Sequence, residues 1–362
     1  MNGPKLSITK VAKAAGVSVA TVSRVMNGLP GVQASTVAHV QAAIKDLGYV
    51  RQRARTVRRS IPDSSKLTHN SIAFITLGND RNWLQMPVAA AFFTGMQRGA
   101  SAHGLRLVID EMVQLDRPAN VLVDRQVDGA IVIVSSDIPV SQYRDTFAFV
   151  QKYVPTVWAM NANTVTAEVD HIAADHHGIG QLAYDFLKKS GCKSFGYFTD
   201  YPTWPIMRLR GQSFLNGALD DQAPAVTYAT VSEDTKYSLI AFGPRVVTAP
   251  NLNQLVSTFV KDKRRPEGLF ICNDRVTSSV YPLLIAQGVQ PGRDVKVISC
   301  DAEEPRLAGL DPRPMSIDIG AEEIGHRSVV RLINRIRRPN AVPILINVAP
   351  RLSSPPSPDR FA

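Results

Sequence analysis

Arginine is the residue type whose spacing points most directly to chemistry in this chain. A planar guanidinium group donates paired hydrogen bonds to phosphate oxygens, and five of the nine positions from 51 to 59 are arginine. The first 66 residues contain eleven basic and two acidic residues, a net charge of +9, whereas the whole 362-residue chain carries +10. This concentration of charge indicates a small nucleic-acid-binding module attached to a nearly neutral body.

The residues before the arginine-rich run have the pattern of two short helices around a tight turn. Apolar residues recur at helical spacing in residues 8–15, and Gly16 can adopt the left-handed conformation that ends a helix. Ser18 can cap a second helix, and residues 37–47 have the pattern of a third. Two helices around such a turn predict a helix-turn-helix, whose second helix enters the DNA major groove.

After residue 69 the pattern changes to short, continuous apolar runs separated by longer amphipathic stretches. Such runs are typical of buried parallel strands, and the stretches are typical of the helices that connect them. The segments fall into two sets, which predict two similar subdomains with a pocket between them at the carboxyl ends of the strands. The predicted fold class is α/β, with an N-terminal three-helix helix-turn-helix head and a body of two parallel-sheet subdomains. The predicted strands are residues 72–77, 105–109, 130–134, 156–160, 195–198, 268–272 and 295–300, and the clearest predicted helices are residues 88–103, 180–190, 252–261 and 276–287.

The apolar segments and the cysteines indicate the compartment in which we expect the protein to act. No segment approaches the roughly 18 consecutive apolar residues of a membrane span, and no targeting pattern stands at the N-terminus. The three cysteines, Cys192, Cys272 and Cys300, are odd in number and far apart, which fits a reducing cytoplasm better than a disulfide framework. We expect a cytoplasmic, nucleoid-associated protein with no membrane partner.

The body contains no sequence pattern that indicates catalysis. Gly178-Ile-Gly180 lacks the third glycine of a dinucleotide-binding loop, and no phosphate-binding loop or nucleophile motif is present. The adjacent His176 and His177 are predicted to be a loop pair rather than a metal site, since neighbouring side chains point in different directions. We therefore predict a binding protein, not an enzyme, with no cofactor and no metal. A solute-binding protein for transport would share such a body, but the basic head favours a DNA-binding regulator.

The head resembles that of the LacI/GalR family of transcriptional regulators. The shared motif runs Val11-Ala-x-x-Ala-Gly-Val-Ser-x-x-Thr-Val-Ser-Arg-Val-x-Asn27-Gly28 and is followed by Leu47-Gly-Tyr49. A weaker resemblance continues through nearly the whole chain. It implies a periplasmic-binding-protein-like body, a homodimer, a pseudo-palindromic operator in double-stranded DNA, and repression controlled by a small-molecule effector, a sugar or related metabolite.

The resemblance also implies four segments. These are a helix-turn-helix DNA-binding domain in residues 1–50, an arginine-rich hinge and linker in 51–69, an effector-binding and dimerisation domain of two interleaved subdomains in 70–353, and a disordered tail in 354–362. The tail has three prolines and no heptad pattern, so we expect a dimer rather than a larger assembly.

In the family, the two residues after the serine cap reach base edges, and here they are Val19 and Ala20. Neither can hydrogen-bond a base, so both are limited to apolar contact such as that with a thymine methyl group. Arg24 is the one side chain on this helix that can form a bidentate contact with guanine. The predicted DNA-binding residues are Ser7, Ser18, Val19, Ala20, Thr21, Ser23, Arg24, Asn27, Tyr49, Arg55 and Val57.

Two parts of the head depart from the family. A serine that usually caps the third helix is replaced by Gln33, so Ser35 is the predicted cap. In the hinge, the family places a leucine that opens a base step in the minor groove, and here Val57 stands in that place. The family's proline and asparagine are missing from this hinge, and its five arginines predict DNA binding that is dominated by charge.

The effector pocket implied by the resemblance combines side chains from distant segments. Asn273 and Asp301 each follow an apolar run, so both should lie at the carboxyl end of a strand, and Arg208 supplies a guanidinium group. A guanidinium donates and a carboxylate accepts hydrogen bonds, which suits the vicinal hydroxyl groups of a sugar. Trp83 and Trp204 lie in predicted loops near the cleft, where they can stack on a ligand.

Replacing Arg24 by alanine tests the predicted base contact. We expect Arg24→Ala to weaken operator binding by about 1–3 kcal/mol and to relax sequence preference at one base position. A competition assay against operators substituted one base pair at a time measures both effects. An equal loss of affinity for every sequence would assign Arg24 to the phosphate backbone instead.

Overall fold

The computed structural model describes residues 8–26, 31–47, 67–78, 83–134, 140–161, 169–231 and 245–353. Contacts within the chain divide it into two compact units, residues 1–63 and 64–362. No helix within the described ranges is long and apolar enough to span a membrane. Five of the predicted DNA-binding residues lie outside the described residues, and so does the tail; these five are Ser7, Asn27, Tyr49, Arg55 and Val57.

The head contains three helices, α1 (Ile8–Ala14), α2 (Val19–Met26) and α3 (Ala34–Asp46). Each helix contributes a fully buried valine to a small core, and these are Val11, Val22 and Val40. Such a core fixes how the helices cross, because a rotation of any one helix would expose its valine to water. The three-helix head predicted from the sequence is present.

The turn between α1 and α2 has the geometry that its residues favour. Gly16 has a φ of +64°, in the left-handed region, and the Thr21 amide donates a hydrogen bond to the Ser18 hydroxyl at 3.1 Å. The predicted cap of the third helix is wrong. Gln33 occupies the capping position, and Ser35 lies inside the first turn of α3.

The body alternates strands and helices along the chain. In order these are β1 (Ser71–Leu77), α4 (Pro87–Ala102), β2 (Arg106–Met112), α5 (Asn120–Val123), β3 (Gly129–Val134), α6 (Tyr143–Gln151), β4 (Thr156–Ala159), β5 (Asp170–Ala174), α7 (His176–Lys189), β6 (Phe195–Thr199), α8 (Pro205–Asp220), β7 (Ala225–Thr230), β8 (Val246–Ala249), α9 (Leu252–Lys261), β9 (Gly268–Ile271), α10 (Asp274–Ala286), β10 (Lys296–Cys300), α11 (Glu304–Leu307), β11 (Met315–Asp318), α12 (Ala321–Arg337), β12 (Leu345–Val348) and β13 (Arg351–Leu352).

These strands form two sheets, one in each subdomain. The first has the order β12-β5-β4-β3-β1-β2 and the second the order β13-β11-β10-β9-β6-β7-β8. Every pairing between these strands is parallel except that of β13 with β11. Central strands such as β1 and β3 are buried along their whole length, which explains why they appear in the sequence as continuous apolar runs.

The predicted strands all occur, but several others were not predicted. β2 extends beyond its predicted end at residue 109 to Met112, and most of its residues are exposed or half-buried, as expected of a strand at the sheet edge. β5 (DHIAA) and β8 (VVTA) are short, and β5 begins with two polar residues. Short runs of mixed polarity carry little periodicity, so the sequence does not distinguish them from loops.

The chain passes between the two subdomains at three places. One lies between β5 and α7, one between β11 and α12, and one between β12 and β13. The three crossings are adjacent, since the Asp175 amide in the first donates a hydrogen bond to the Val348 carbonyl in the third at 2.9 Å. A Cβ on Gly320, in the second crossing, would lie 2.7 Å from the Val348 side chain.

Closely packed helix pairs support each sheet, and glycine permits the close approach. α4 packs on α12 in the first subdomain, and α7 packs on α8 in the second. A Cβ at Gly180 of α7 would lie 2.3 Å from the Arg210 carbonyl oxygen and 2.7 Å from the Phe214 amide nitrogen of α8. Gly180, the second glycine of the Gly178-Ile-Gly180 segment, therefore has a packing role, and it permits the short distance between α7 and α8.

Gly180→Ala should force α8 away from α7. Overpacking of this kind costs roughly 1–3 kcal/mol and sometimes more, and backbone atoms cannot yield by changing rotamer. We expect a loss at or above the upper end of that range, measured by urea denaturation. Gly309→Ala is the matched control, because a Cβ there meets nothing within 4 Å, and its stability should stay within about 0.5 kcal/mol of the parent.

Candidate functional site

The outer face of α2 carries the side chains predicted to meet DNA. Val19, Ala20 and Arg24 are exposed, whereas Val22 of the same helix is buried against α1 and α3. The Thr21 and Ser18 hydroxyl groups are 2.9 Å apart beside the capping bond at the start of the helix. The described head thus presents a short helix with one guanidinium group on its free side.

A cavity of about 550 Å³ lies between the two sheets of the body. Its lining residues stand where strands end: Val134 closes β3, Asp200 follows β6, Asn273 follows β9 and Asp301 follows β10. Ligands of parallel α/β sheets bind at this edge, where the chain turns from strand to helix and side chains converge. This cleft is the ligand site that the strand pattern predicts.

A buried ion pair forms one wall of the cleft. One terminal nitrogen of Arg210 lies 2.8 Å from the Asp301 carboxylate, and the other donates to the Cys272 carbonyl at 2.8 Å. Burial disfavours the charged guanidinium, but the negative charge of Asp301 outweighs this effect and raises the pKa of Arg210. The pair joins α8 to the ends of β9 and β10.

Asp301 holds a backbone conformation that usually belongs to glycine. Its φ is +103°, and the next residue, Ala302, has a φ of +52°. Such conformations are strained for residues with a side chain and persist where surrounding contacts enforce them. Here the Arg210 ion pair holds the side chain, while the Asp301 amide donates to the Ile317 carbonyl at 2.8 Å.

The arginine of the cleft lies two positions after the predicted one. Arg208 is half-buried and does not line the cavity, whereas Arg210 does. Residues two apart on an α-helix point about 200° apart, so the two side chains of α8 face opposite ways. The buried residues Met207 and Phe214 lie on the same side as Arg210, and this shared helical phase is a sequence signal for Arg210 that the prediction of Arg208 did not use.

Two further ion pairs flank the cleft. Arg275 contacts Asp200 at 2.7 Å, and Arg306 contacts Glu303. Among the described lining residues, each of the three guanidinium groups therefore has a carboxylate partner within the cleft. Burial, followed by the nearby charge of Asp301, raises the pKa of Glu303.

Glu303 also connects the two subdomains. Its second carboxylate oxygen accepts a hydrogen bond from the Val88 amide at 3.1 Å, in the first turn of α4. No side chain next to α4 in the sequence caps this helix, since Met86 occupies the capping position. A carboxylate at a helix N-terminus satisfies a free amide and complements the helix dipole.

Among the described residues of the cleft lining, three polar groups have atoms without a hydrogen-bond partner. They are both ring nitrogens of His176, one carboxylate oxygen of Asp200 and the Nε of Arg210. Only 5% of His176 is exposed, and burial holds its pKa well below the usual value, so the ring is neutral. A neutral imidazole offers one donor and one acceptor. Together with the Asp200 oxygen, which accepts, and the Arg210 Nε, which donates, these atoms can form hydrogen bonds of both directions.

The loop predicted around His176 and His177 is wrong. Both residues lie in the first turn of α7, where Asp175 caps the helix by accepting a hydrogen bond from the Gly178 amide at 2.9 Å. His177 is exposed, and only His176 reaches the cleft. An aspartate three residues before a helical glycine was the sequence signal for this helix start.

Asn273 and the buried carboxyl group of Asp274 follow β9 of the second sheet, at the base of the cleft. The Asn273 side chain lines the cavity and also caps α10 by accepting a hydrogen bond from the Val276 amide at 2.9 Å. Asp274 is fully buried and accepts hydrogen bonds from the Ser316 hydroxyl at 2.8 Å and the Glu303 amide at 2.6 Å. Burial, with a smaller contribution from Asp301, raises the pKa of Asp274 to about 7.

Both predicted tryptophans line the cavity. Trp83 stacks on Phe74 with 5.7 Å between the ring centres, and Phe92 and Phe93 surround it in the first subdomain. Trp204 precedes α8 in the second subdomain. The cleft thus has an aromatic surface on each side and a polar set between them, a combination that suits a ligand with apolar faces and polar edges.

A helix-turn-helix head with a two-sheet body and a polar cleft defines a class of ligand-responsive DNA-binding proteins. The chain has a lacI-family DNA-binding domain and a periplasmic-binding-protein-like domain, and its relatives are LacI-family transcriptional regulators. The family model for bacterial regulatory proteins of the lacI family matches residues 7–52, and the model for the periplasmic binding protein-like domain matches residues 184–354.

Individual relatives agree with this assignment. The ribose operon repressor of Escherichia coli K12 is 26% identical over 337 residues, covering 91% of this chain and 92% of the relative. A transcriptional regulator CelR–cellobiose complex shares the fold with a TM-score of 0.64 and 20% identity, over 97% of this chain and 99% of that chain. The structure of the lac repressor dimer bound to operator and the anti-inducer ONPF shares the fold with a TM-score of 0.62 and 19% identity, over 97% of this chain and 98% of that chain.

The raised pKa of Asp274 makes folding stability depend on pH. A carboxyl group with a pKa of about 7 in the folded state and 3.8 as its ordinary value favours folding fully below pH 4, and this contribution is lost as the pH rises towards 7. The loss is at most about 1.4 kcal/mol per pH unit. We expect Asp274→Asn, which cannot ionise, to gain stability relative to the parent over this interval.

Chemical denaturation of both proteins at pH 4, 5, 6 and 7 measures the difference between their free energies of unfolding. The contributions of the other titrating groups cancel in this difference. The parent and Asp274→Asn should be closest in stability at pH 4, where both side chains are neutral. A difference that stays constant across the series would show that Asp274 does not titrate there.

Proposed function

We propose that the effector of this regulator is an uncharged, polyhydroxylated molecule of the sugar class. The observation that carries the proposal is the balance of charge among the described residues of the cleft lining. Their three guanidinium groups are paired with three carboxylates, while His176, Asp200 and Arg210 keep hydrogen-bonding atoms without a partner. A hydroxyl group both donates and accepts hydrogen bonds, so the hydroxyl groups of one ligand can satisfy both the donors and the acceptors among these atoms.

A charged effector suits this cleft poorly. A phosphate or carboxylate placed among the three ion pairs would meet the negative charges of Asp200, Asp301 and Glu303, and like charges at short distance repel. Displacing one of these carboxylates instead would break its ion pair, at a cost that is largest for the buried pair of Arg210 and Asp301. An uncharged ligand leaves all three pairs in place and uses only the atoms without partners, and the flanking tryptophans suit the apolar faces of a sugar ring.

The names of the relatives point the same way. One solved neighbour is a complex with cellobiose, and a full-length relative is the repressor of a ribose operon. On this basis we propose a cytoplasmic homodimer that represses transcription from a pseudo-palindromic operator. Its body acts as a binder rather than a catalyst, with no metal or cofactor.

The contact between Glu303 and the start of α4 suggests how the cleft responds to its effector. Because it joins the two subdomains through protein groups alone, this contact by itself stabilises one cleft geometry. A ligand that binds between the subdomains favours the geometry in which its own hydrogen bonds are complete. We propose that this shift in population alters the operator affinity of the head, as linkage between two sites requires.

A thermal-shift screen of the full chain tests the class of effector. An uncharged sugar at a hundred times its dissociation constant should stabilise the protein by about 2.7 kcal/mol, whereas sugar acids and sugar phosphates should have little effect at equal concentration. A screen in which only charged compounds stabilise the protein would overturn the proposal.

His176→Leu should then weaken binding of the identified sugar by about tenfold to a hundredfold, the value of one or two hydrogen bonds to a buried polar group. His177→Leu is the matched control, since this neighbouring histidine is exposed and should leave the dissociation constant unchanged. Calorimetry measures the dissociation constants, and operator titrations with and without sugar show whether the cleft controls DNA binding.

A further inference from the structure

A basic groove runs along the outer side of α12, away from the cleft between the sheets. Arg327, Arg331 and Asn334 follow one another at spacings of four and three residues, which places them on one side of the helix, and Arg338 directly follows its last residue. Two cavities of about 240 and 340 Å³ lie along this stripe and share Arg331 and Asn334 in their linings. None of the four residues lines the effector cleft.

The larger of the two cavities is positively charged. It is lined by Arg331, Asn334, Arg337, Arg338 and Ala341, three guanidinium groups and an amide with no carboxylate among the described lining residues. The smaller cavity has Glu323 in its lining, which pairs with Arg327 at 2.6 Å. The larger cavity is therefore the part of the groove that favours an anion.

Nearby acids do not neutralise this charge. Asp170 is fully buried, and its one carboxylate contacts both Arg331 at 2.7 Å and Arg335 at 2.6 Å. One negative charge is thus shared by two positive groups. Within the described residues, no ion pair joins Arg337 or Arg338 to a carboxylate, and both side chains are exposed.

One buried donor of the cavity lining also lacks an acceptor. The Nε of Arg331 is shielded from solvent and has no hydrogen-bond partner among the described residues. A buried donor without a partner costs about 1–3 kcal/mol, and it is rare in folded proteins unless an ion or ligand supplies the acceptor. Only 12% of the Arg331 side chain is exposed, so Asp170 holds this guanidinium group in place before any ligand arrives.

These features separate the groove from an ordinary solvated basic surface. Flexible arginines in water gain little from an anion, whereas a guanidinium group fixed by a buried carboxylate loses less freedom when it binds. Phosphate oxygens accept paired hydrogen bonds from guanidinium groups. A cavity of about 340 Å³ lies within the lower range of small-ligand sites.

We propose that the cavity formed by Arg331, Asn334, Arg337 and Arg338 is a second ligand site, which binds the phosphate group of a small phosphorylated metabolite. The site is independent of the sugar-class effector, because the two cavities have no lining residue in common. A regulator with both sites responds to two chemically different signals, one uncharged and one anionic.

Calorimetric titration of the full chain with inorganic phosphate and with pyrophosphate, at constant ionic strength set by chloride, tests the proposal. We expect saturable binding of both anions, with pyrophosphate the tighter because it offers more acceptors. The double variant Arg337→Gln/Arg338→Gln should weaken binding at least tenfold. Both side chains are exposed, so the fold should tolerate the change.

Lys263→Gln/Arg264→Gln is the matched control, an adjacent pair of exposed basic residues outside the groove. It removes the same charge and should bind phosphate as the parent does. Equal weakening in both double variants would mean that net charge alone attracts the anion. Binding that survives Arg337→Gln/Arg338→Gln would place the anion elsewhere, for example on the arginines of residues 51–59. Either result, or the absence of saturable binding, overturns the proposal.

Discussion

The architecture of the effector cleft depends on one buried ion pair, that between Arg210 and Asp301. The guanidinium group reaches from α8 to the ends of β9 and β10, where it meets a carboxylate and the Cys272 carbonyl. Removing either partner would leave the other charge buried, at a cost of several kcal/mol. The pair therefore ties together the helix, the two strand ends and the strained backbone at Asp301. Gly180 contributes from the opposite side, because it permits α8 to approach α7 and so sets the position of Arg210.

The sequence predicted the architecture well and the polar floor of the cleft only in part. Continuous apolar runs identified the central strands because those strands are buried on both faces. Asn273 and Asp301 were predicted to reach the cleft because each directly follows such a run, and both line it. These are local signals, in which one strand and the residue after it carry all the information.

Three residues of the cleft were missed. Arg210 depends on the helical phase of α8, which the sequence contains, but a shift of two residues changes that phase by about 200°, so Arg208 was predicted in its place. The other two depend on relationships that a short stretch of sequence does not contain. His176 reaches the cleft because its chain crosses between subdomains at that point, and Glu303 becomes important because it meets α4 from 215 residues away. Contacts of this kind follow from how the subdomains meet, which no local pattern encodes.

The three adjacent crossings between the subdomains limit how the cleft can move. A single connection would leave one subdomain free to twist and slide over the other. Three adjacent crossings, joined by the hydrogen bond from Asp175 to Val348 and by the contact at Gly320, oppose such motions. The motion that they oppose least is rotation about the line along which they lie, the hinge type of domain closure. A ligand that enters the cleft therefore acts mainly on the angle between the two subdomains.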